Sequence, residues 1–326
     1  CTGSAGSSAE PSADSSLTGE ARADVPTYSG DGFAGAQILR LADGAWLSDQ
    51  AFADVLSKAD VTVFGEQHET APVQALEKWV LTTLISRVPD LGLAMEHFQR
   101  DEQPIIDRYL AGEIDQATFE AQAQVWPNYA TYWRPLVEAA RASHRPVLGL
   151  NVPKEVLGGV YSQFPSWPLD VFNAIPETSP SSATLPPRPL AAWDDTYQGW
   201  FESSYDYASH GQAWGLSYAD ALHYFTDLAQ IRDETMAHWV ARGLAERAPH
   251  LLVVAGDWHV QTRLAVPDRL NRLVPGAKVV TITTVPKDKL DEIRQFEFEG
   301  RPAADYVIAY TPPAAPAPPP APAPEE

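Results

Sequence analysis

The sequence predicts an α/β fold in which helices flank a mainly parallel sheet. Short apolar runs bounded by polar or turn residues recur along the chain, and longer segments with helical spacing of apolar residues separate them. This alternation is typical of βα units around a parallel sheet. The chain has 326 residues, of which 44% are hydrophobic. That content is enough for one large core or two smaller ones.

Six apolar runs are the predicted strands of this sheet. They are VTVF (61–64), LGLAM (91–95), PVLGL (146–150), LLVVA (251–255), VVTITTV (279–285) and DYVIAY (305–310). Residues 72–88 carry Val73, Leu76 and Val80 at helical spacing, which predicts a helix. Residues 218–247 predict a long helix or a pair of helices.

Composition divides the chain into a folded part and two polar or Pro-rich ends. Residues 1–26 are rich in Ser, Ala, Gly and acid, which predicts a flexible tether. Residues 311–326 predict a Pro/Ala-rich disordered tail. We expect one α/β domain over 27–310, with a Pro/aromatic-rich insertion at about 158–215 for which no regular structure is predicted. A split into two domains near 155–215 is the alternative.

Charge and cysteine content limit the classes of partner. The 43 acidic residues against 23 Lys and Arg give a net charge of -20, which disfavours nucleic acid. Cys1 is the single cysteine, followed by TGSAGSSAEPSADSS. This beginning is typical of a processed bacterial lipoprotein, so we expect Cys1 to carry a lipid that attaches the chain to a membrane. An arbitrary sequence boundary is the alternative.

Polar side chains follow the predicted strands where their carboxyl ends should lie, which is where α/β sheets bind ligands. The unit G-x-x-H occurs twice, at Gly65 to His68 and at Gly256 to His259. Glu66 lies inside the first unit, and Glu96 with His97 follows another strand. If these strands are neighbours, His68, Glu96 and His259 offer a mixed N and O ligand set for a divalent metal.

Other polar residues have weaker support as parts of this site. Gln230 and Asp233 share a helix face, so they either lean over the site or make an internal polar contact. Arg100 could fix a carboxylate, although a solvated helix face at 100–108 is the default interpretation. Asn151 follows a strand directly. An anion site at the helix start after His68 is a further alternative, which the nearby carboxylates disfavour.

Several of these motifs, taken in order, resemble a known family. They are GEQH (65–68), MEHFQR (95–100) with DEQPIIDRYLAGEI (101–114), NVP (151–153), AQIRDETMA (229–237) and GDWH with AVP (256–267). The chain resembles the ChaN family of haem-binding lipoproteins, in the Tiki superfamily that also holds erythromycin-esterase-like enzymes and metal-dependent proteases. The resemblance implies a site at His68, Glu96 and His259 with Glu66 adjacent. His97 departs from the family pattern, in which an apolar residue is more usual.

The resemblance also implies haem as the cofactor, within bacterial haem or iron uptake at the outer membrane. A haem site needs a flat apolar slot and an axial ligand. The aromatic run at 196–225 supplies such residues, and Tyr207 with His210 is the predicted pair. Packing of these aromatics against the sheet is the simpler explanation for any one of them. The number of subunits is not determined, and a homodimer remains open.

Two functions follow from the sequence, and it does not decide whether the protein is an enzyme. The first is a lipid-anchored haem-binding protein. The second is a metal-dependent esterase or peptidase, in which His68, Glu96 and His259 hold the metal and Glu66 acts as general base.

Overall fold

The structure is a computed structural model that describes residues 36–312. The predicted tether (1–26) and residues 313–326 of the predicted tail lie outside the described residues.

Eight strands form one central sheet, and two short strands form a separate hairpin. In chain order they are β1 (Gln37–Arg40), β2 (Ala45–Leu47), β3 (Val61–Glu66), β4 (Leu91–Gln99), β5 (Val147–Asn151), β6 (His250–Gly256), β7 (Val279–Pro286), β8 (Glu297–Phe298), β9 (Arg301–Pro302) and β10 (Tyr306–Tyr310). The sheet order is β2-β1-β10-β7-β3-β6-β4-β5, and β8 pairs with β9. All neighbours from β10 to β5 are parallel, while β1 and β2 add an antiparallel edge. The predicted mainly parallel α/β fold is confirmed.

Helices connect the strands and cover both faces of the sheet. They are α1 (Asp49–Leu56), α2 (Ala71–Arg87), α3 (Gln103–Leu110), α4 (Gln116–Gln122), α5 (Tyr129–Tyr132), α6 (Arg134–Ala142), α7 (Lys154–Ser162), α8 (Pro168–Asn173), α9 (Asp195–Ser203), α10 (Tyr218–Glu246), α11 (Val266–Leu273) and α12 (Leu290–Gln295). Short 3-10 helices occur at Arg100–Glu102, Pro180–Thr184, Gln212–Trp214, Asp257–His259, Gln261–Arg263 and Lys287–Lys289.

The two faces of the sheet bury alternate residues of the same strands, as a strand with a period of two requires. One face carries Phe64, Met95 and Val254 in a core that includes residues of α2 and α6. The other face carries Val63 and Ala94 against α10 and α11. Burial on both faces explains why these strands read as continuous apolar runs in the sequence.

A single helix, α10, spans the segment for which the sequence allowed either one helix or two. Its first turn is capped by Ser217, whose Oγ accepts a hydrogen bond from the backbone N–H of Asp220. The predicted insertion contains the short helices α8 and α9, which the sequence left without regular structure. Phe172 of α8 packs against Leu228 of α10 in a separate apolar cluster.

The order of the strands determines where their polar ends lie. β6 runs between β3 and β4, with Glu66 opposite Gly256 and Met95 opposite Val254. The carboxyl ends of these three strands therefore meet at one edge of the sheet. Within residues 36–312, no helix is both long and apolar enough to cross a membrane.

Candidate functional site

Glu66, the last residue of β3, is the most densely hydrogen-bonded carboxylate at this edge. Its side chain is buried and accepts hydrogen bonds from His68 Nδ1, from His97 Nε2 at 2.7 Å and from Trp133 Nε1 at 3.0 Å. Burial opposes its ionisation, but the charge of His97 and the hydrogen bonds from His68 and His97 hold the pKa of Glu66 well below its usual range. Glu66 is therefore an ionised carboxylate inside the protein.

His68 and His259 have matching surroundings. Nδ1 of His68 contacts Glu66, and Nδ1 of His259 lies 2.6 Å from Asp233 Oδ1. Burial lowers the pKa of each ring, but the neighbouring carboxylates outweigh it and raise both pKa values. A carboxylate on Nδ1 fixes the ring and leaves Nε2 directed away from it.

Glu96 of β4 lies between the two histidines. Its Oε2 accepts a hydrogen bond from the Gly256 backbone N–H at 2.7 Å, and its Oε1 lies 3.6 Å from His259 Nε2. Burial opposes ionisation of Glu96, yet the positive charges of His259, His68 and His97 lower its pKa. In the strand-end site, defined as Glu66, His68, Glu96, Asp233 and His259, each histidine thus has a carboxylate at Nδ1, and Glu96 acts electrostatically on both rings.

The glycine of each G-x-x-H unit leaves space for a side chain of the other unit. A Cβ added at Gly65 would lie 2.2 Å from Asp257 Oδ1, which no structure tolerates without movement. A Cβ at Gly256 would lie 3.1 Å from His68 Nε2 and 3.4 Å from Glu96 Oε2. Close approach, not a left-handed backbone, is therefore the reason for glycine at both positions.

A second polar network supports His259 from the side of α10. Tyr197 donates a hydrogen bond to Asp233 Oδ2 at 2.5 Å, and the guanidinium of Arg269 lies 4.5 Å from the centre of the Tyr197 ring. Gln230 accepts a hydrogen bond from Arg269. Of the two helix residues singled out in the sequence, Asp233 thus reaches the site and Gln230 makes an internal polar contact.

The remaining supporting residues occupy different places. Asn151 donates a hydrogen bond to the backbone carbonyl of Glu96 at 3.2 Å, so it touches the strand that carries the site. Arg100 donates to Gln103 Oε1 at 2.8 Å, and its guanidinium lies 3.8 Å from the centre of the Trp239 ring. Both partners of Arg100 are helix residues, since Gln103 belongs to α3 and Trp239 to α10.

Sequence reasoning missed four residues of the hydrogen-bond network. They come from separate segments and follow no motif: Gln74, Glu77, Trp133 and Tyr197. Glu77 of α2 is fully buried, and burial together with the charge of Glu66 raises its pKa well above the usual range. Gln74 and Glu77 lie on the buried side of α2 among apolar residues. Polar residues at such positions are the sequence feature that could have identified these two.

Among residues 36–312, one group of side chains at this edge has ligand atoms close enough together to hold a metal. One atom each from Glu66, His68 and His97 lies within 4.8 Å of the others. The contact of 2.7 Å between His97 and Glu66 is a hydrogen-bond distance, shorter than the roughly 3.4 Å that separates two ligands of one tetrahedral ion. The predicted set of His68, Glu96 and His259 does not meet this limit of 4.8 Å. Both of its histidines nevertheless have a carboxylate partner on Nδ1, as is usual for metal-binding histidines.

Tyr207 and His210 lie in the segment between α9 and α10, apart from the strand-end site. Tyr207 donates its hydroxyl proton to the Leu216 carbonyl at 2.8 Å, and His210 Nδ1 lies 3.1 Å from the Asp206 carbonyl. The ring centre of Phe225 lies 5.6 Å from that of His210 and 5.8 Å from that of Trp214. These contacts connect the predicted haem residues to neighbouring aromatic rings.

This region carries an exposed aromatic surface. Of the four exposed large apolar side chains among residues 36–312, three belong to it: Phe164 at 39%, Trp214 at 40% and Tyr218 at 44% exposure. Phe164 and Trp214 are 5.6 Å apart, and Tyr207 and Tyr218 are 5.4 Å apart, between ring centres. We call the surface of Phe164, Tyr207, His210, Trp214 and Tyr218 the aromatic patch.

Comparison with solved structures shows which folds are similar. ChaN of Campylobacter jejuni, described as showing cofacial haem binding, superposes with a TM-score of 0.64 at 15% identity, over 85% of this chain and 97% of that chain. The type III effector HopBA1 gives a TM-score of 0.44 at 12% identity, over 81% and 93% of the two chains. The erythromycin esterase EreC gives 0.42 at 13% identity, over 85% and 83%. No curated protein matches the chain.

Sequence comparison gives the family. Residues 52–270 match the family described as haem-binding uptake, Tiki superfamily, ChaN. The match spans more than half of the chain and includes every residue of the strand-end site and of the aromatic patch. The resemblance inferred from the motifs is therefore confirmed, and the chain belongs to the ChaN family of the Tiki superfamily.

Proposed function

We propose that the protein binds haem on the aromatic patch and serves bacterial haem or iron uptake. Membership of the ChaN family and a fold shared with a protein that binds haem cofacially support the proposal. The observation that carries it is the exposed patch itself, because exposed apolar surface with adjacent aromatic rings is where a flat apolar ligand gains most from leaving water.

The patch has the donor atoms that haem iron accepts. The Nδ1 of His210 lies against a backbone carbonyl, an arrangement that places the proton on Nδ1 and leaves the Nε2 lone pair for iron. Tyr207 uses its proton in the hydrogen bond to Leu216 and would have to release it to bind as a phenolate. We therefore rank His210 above Tyr207 as the axial ligand, with Trp214, Tyr218 and Phe164 packing against the porphyrin.

The charges around the patch restrict the orientation of the haem. Residues 190–231 contain no Lys or Arg, whereas several acids lie close to the patch in sequence: Glu202, Asp206 and Asp220. The propionates should therefore point to solvent, away from these carboxylates.

Titration of the purified chain with haemin tests this proposal. A saturable Soret shift is expected in the wild type, a loss of tenfold or more in affinity for His210→Ala, and a smaller loss for Tyr207→Phe. His144→Asn is the matched control, because His144 is an exposed histidine in the turn before β5, at the opposite edge of the sheet. Equal affinities in the wild type and in a double variant at 207 and 210 would contradict the aromatic patch as the site.

We also propose that the chain is attached to the bacterial outer membrane by a lipid on Cys1. The sequence after Cys1 supports this, since residues 2–26 are polar and rich in Ser, Ala and Gly. Mass spectrometry of the N-terminal peptide from native cells should find a diacylglyceryl group on Cys1, and the protein should fractionate with the outer membrane. An unmodified Cys1 would exclude this form of attachment.

A second candidate function, metal-dependent hydrolysis, is supported by the strand-end site. Each of the two histidines has a carboxylate on Nδ1, and Nε2 of His259 lies 3.6 Å from a further carboxylate, Glu96. Packing of a sheet edge does not require so many polar groups. A divalent metal held by His68, Glu96 and His259 would activate water for attack on an ester or amide. Glu66 and Asp233 would orient the two rings, and Glu66, the predicted general base, would accept the proton that the water releases.

The two functions are separable by substitution. His68→Ala combined with His259→Ala should remove any bound divalent metal and any hydrolysis of a chromogenic ester, while leaving haemin affinity unchanged. Loss of haemin binding in this double variant would contradict separate sites. Absence of both metal and ester hydrolysis in the wild type would leave the strand-end site as structural framework.

A further inference from the structure

We propose that a cavity between α8 and α10 binds a small organic cation of the quaternary ammonium class, a function separate from haem binding. The cavity has a volume of about 310 Å³ and is lined mainly by Trp167, Leu169, Asp170, Trp193, His223 and Asp227. It shares no lining residue with the aromatic patch or the strand-end site. The inference therefore does not depend on either function proposed above.

Aromatic rings form the walls of this cavity. The ring of His223 lies 4.2 Å from the ring of Trp167 and 5.1 Å from that of Trp193, measured between ring centres. The side chain of His223 is 41% exposed and both indoles are partly exposed, so the rings are accessible from solvent. Faces of indole rings attract cations, and quaternary ammonium groups are typical ligands of such aromatic boxes.

A buried carboxylate supplies the matching negative charge. Asp227 of α10 is 1% exposed, and it lines the cavity. Its ion-pair contact among the described residues is His223 Nε2 at 3.8 Å, and no Lys or Arg is within 4 Å. Burial raises the pKa of Asp227, and the charge of Asp170 at the rim acts in the same direction. A bound cation would relieve both effects by stabilising the ionised carboxylate.

The hydrogen bonds of Asp227 favour a quaternary ammonium over a primary amine. Oδ1 accepts from Trp193 Nε1 at 2.8 Å, and Oδ2 accepts from the Leu169 backbone N–H at 3.1 Å. Each oxygen is thus already engaged, so the carboxylate offers charge more readily than new hydrogen bonds. A cation that carries methyl groups in place of N–H donors needs only this charge and the aromatic walls.

The size of the cavity limits the ligand. Its volume of about 310 Å³ is at the lower end of the roughly 300–1,000 Å³ found for small-molecule sites. A trimethylammonium group with a short substituent fits this space, whereas a haem is too large. The net charge of -20 further raises the local concentration of cations around the protein.

Calorimetry with choline, compared with its neutral isostere 3,3-dimethyl-1-butanol, tests the inference on the full chain. Choline should bind saturably, and at least tenfold more tightly than the neutral alcohol. Asp227→Asn should weaken choline binding at least tenfold, Trp167→Leu should weaken it similarly, and Asp170→Asn at the exposed rim should weaken it severalfold. Trp46→Leu is the matched control, since Trp46 is a partly exposed indole on β2 outside the cavity, and it should leave choline affinity unchanged.

Three results would overturn the inference: no saturable choline binding, equal binding of the neutral isostere, or unchanged affinity in both Asp170→Asn and Trp167→Leu. Asp170 is exposed, so its variant tests the charge even if Asp227→Asn fails to fold. Vesicles distinguish a free cation from the headgroup of a lipid as the ligand. Cosedimentation with phosphatidylcholine but not phosphatidylglycerol vesicles assigns a headgroup, whereas choline binding without cosedimentation assigns a free cation.

Discussion

At the scale of single residues, the ionised state of Glu66 depends on the donors that surround it. The carboxylate is buried and accepts hydrogen bonds from two histidines and from Trp133. A buried charge without such donors would cost several kcal/mol. His97 is therefore one of the donors on which the ionised state of Glu66 depends.

We expect Trp133→Phe to destabilise the protein by about 1.5–3 kcal/mol, the usual value of a hydrogen bond to a charged group. The substitution removes the Nε1 donor at 3.0 Å from Glu66 while keeping an aromatic ring. The measurement is the free energy of unfolding from urea denaturation. Trp126→Phe is the control, because the Trp126 ring also contacts His68 and His97. An equal loss in both variants would mean that packing, not the hydrogen bond, explains the effect.

The residues of the site were predictable to different degrees. Glu66, His68, Glu96 and His259 could be grouped from sequence because each directly follows an apolar run, and strands of a parallel sheet end at one edge. Trp133 and Tyr197 could not, because each reaches a carboxylate through tertiary packing from a segment without a motif. Sequence spacing carries no information about such contacts.

At the scale of elements, close contact between the ends of β3 and β6 positions the site. Gly65 of β3 leaves space for Asp257, and Gly256 of β6 leaves space for His68 and Glu96. The G-x-x-H unit thus occurs twice because the ends of two neighbouring strands lie too close together for a side chain at either glycine.

Gly65→Ala should destabilise the protein by roughly 1–3 kcal/mol, because the new methyl group overlaps Asp257, including its backbone, and overpacking has costs of this size. Gly158→Ala is the matched control. Nothing lies within 4 Å of a Cβ at Gly158, which is exposed on α7, so alanine there should stabilise by about 0.5–1 kcal/mol. Thermal unfolding of the three proteins compares them, and a neutral Gly65→Ala would refute the close-approach explanation.

Glu102 ends the 3-10 helix Arg100–Glu102, which follows β4, and its carboxyl group should make the stability of the protein depend on pH. Glu102 accepts a hydrogen bond from the Gln99 backbone N–H at 2.7 Å, and burial raises its pKa from 4.5 to about 7. The folded state therefore holds a proton that the unfolded state releases. This contribution to stability is complete below pH 4.5 and is lost as pH rises through 7, with a slope of at most about 1.4 kcal/mol per pH unit.

Denaturation of wild type and Glu102→Gln at pH 5 and pH 8 measures this effect. The wild type should lose more stability than the variant between the two pH values, since glutamine does not titrate. The same change in both proteins would show that Glu102 titrates normally in the folded state.

Prediction of the elements succeeded where burial was greatest. The six predicted strands are the six parallel strands of the sheet, because burial on both faces gives continuous apolar runs. β1 and β2 were missed because strands of four and three residues are too short for a pattern. The helices of the insertion, such as α8 and α9, were missed because Pro, Trp and Tyr mask helical spacing.

At the scale of the whole molecule, family membership and local chemistry point to different parts of one fold. The match to the ChaN family covers residues 52–270, and this range includes a polar site at the strand ends and an aromatic patch at the start of α10. The Nδ1 carboxylates of the strand-end site suit metal or proton chemistry, whereas the patch suits a flat apolar ligand. One domain can therefore keep both without sharing a residue between them.

The net charge of -20 makes haemin binding sensitive to salt. Haemin carries two propionates, and the patch lies in a segment without Lys or Arg, so electrostatic repulsion should weaken binding at low ionic strength. Raising the salt from about 0.01 M to 0.15 M shortens the Debye length from about 30 Å to about 8 Å, and the affinity for haemin should rise several-fold. Haemin dimethyl ester, whose propionates are neutral, should show little of this change. An affinity for haemin that falls with salt would instead require cationic contacts to the propionates, and so a haem site away from the aromatic patch.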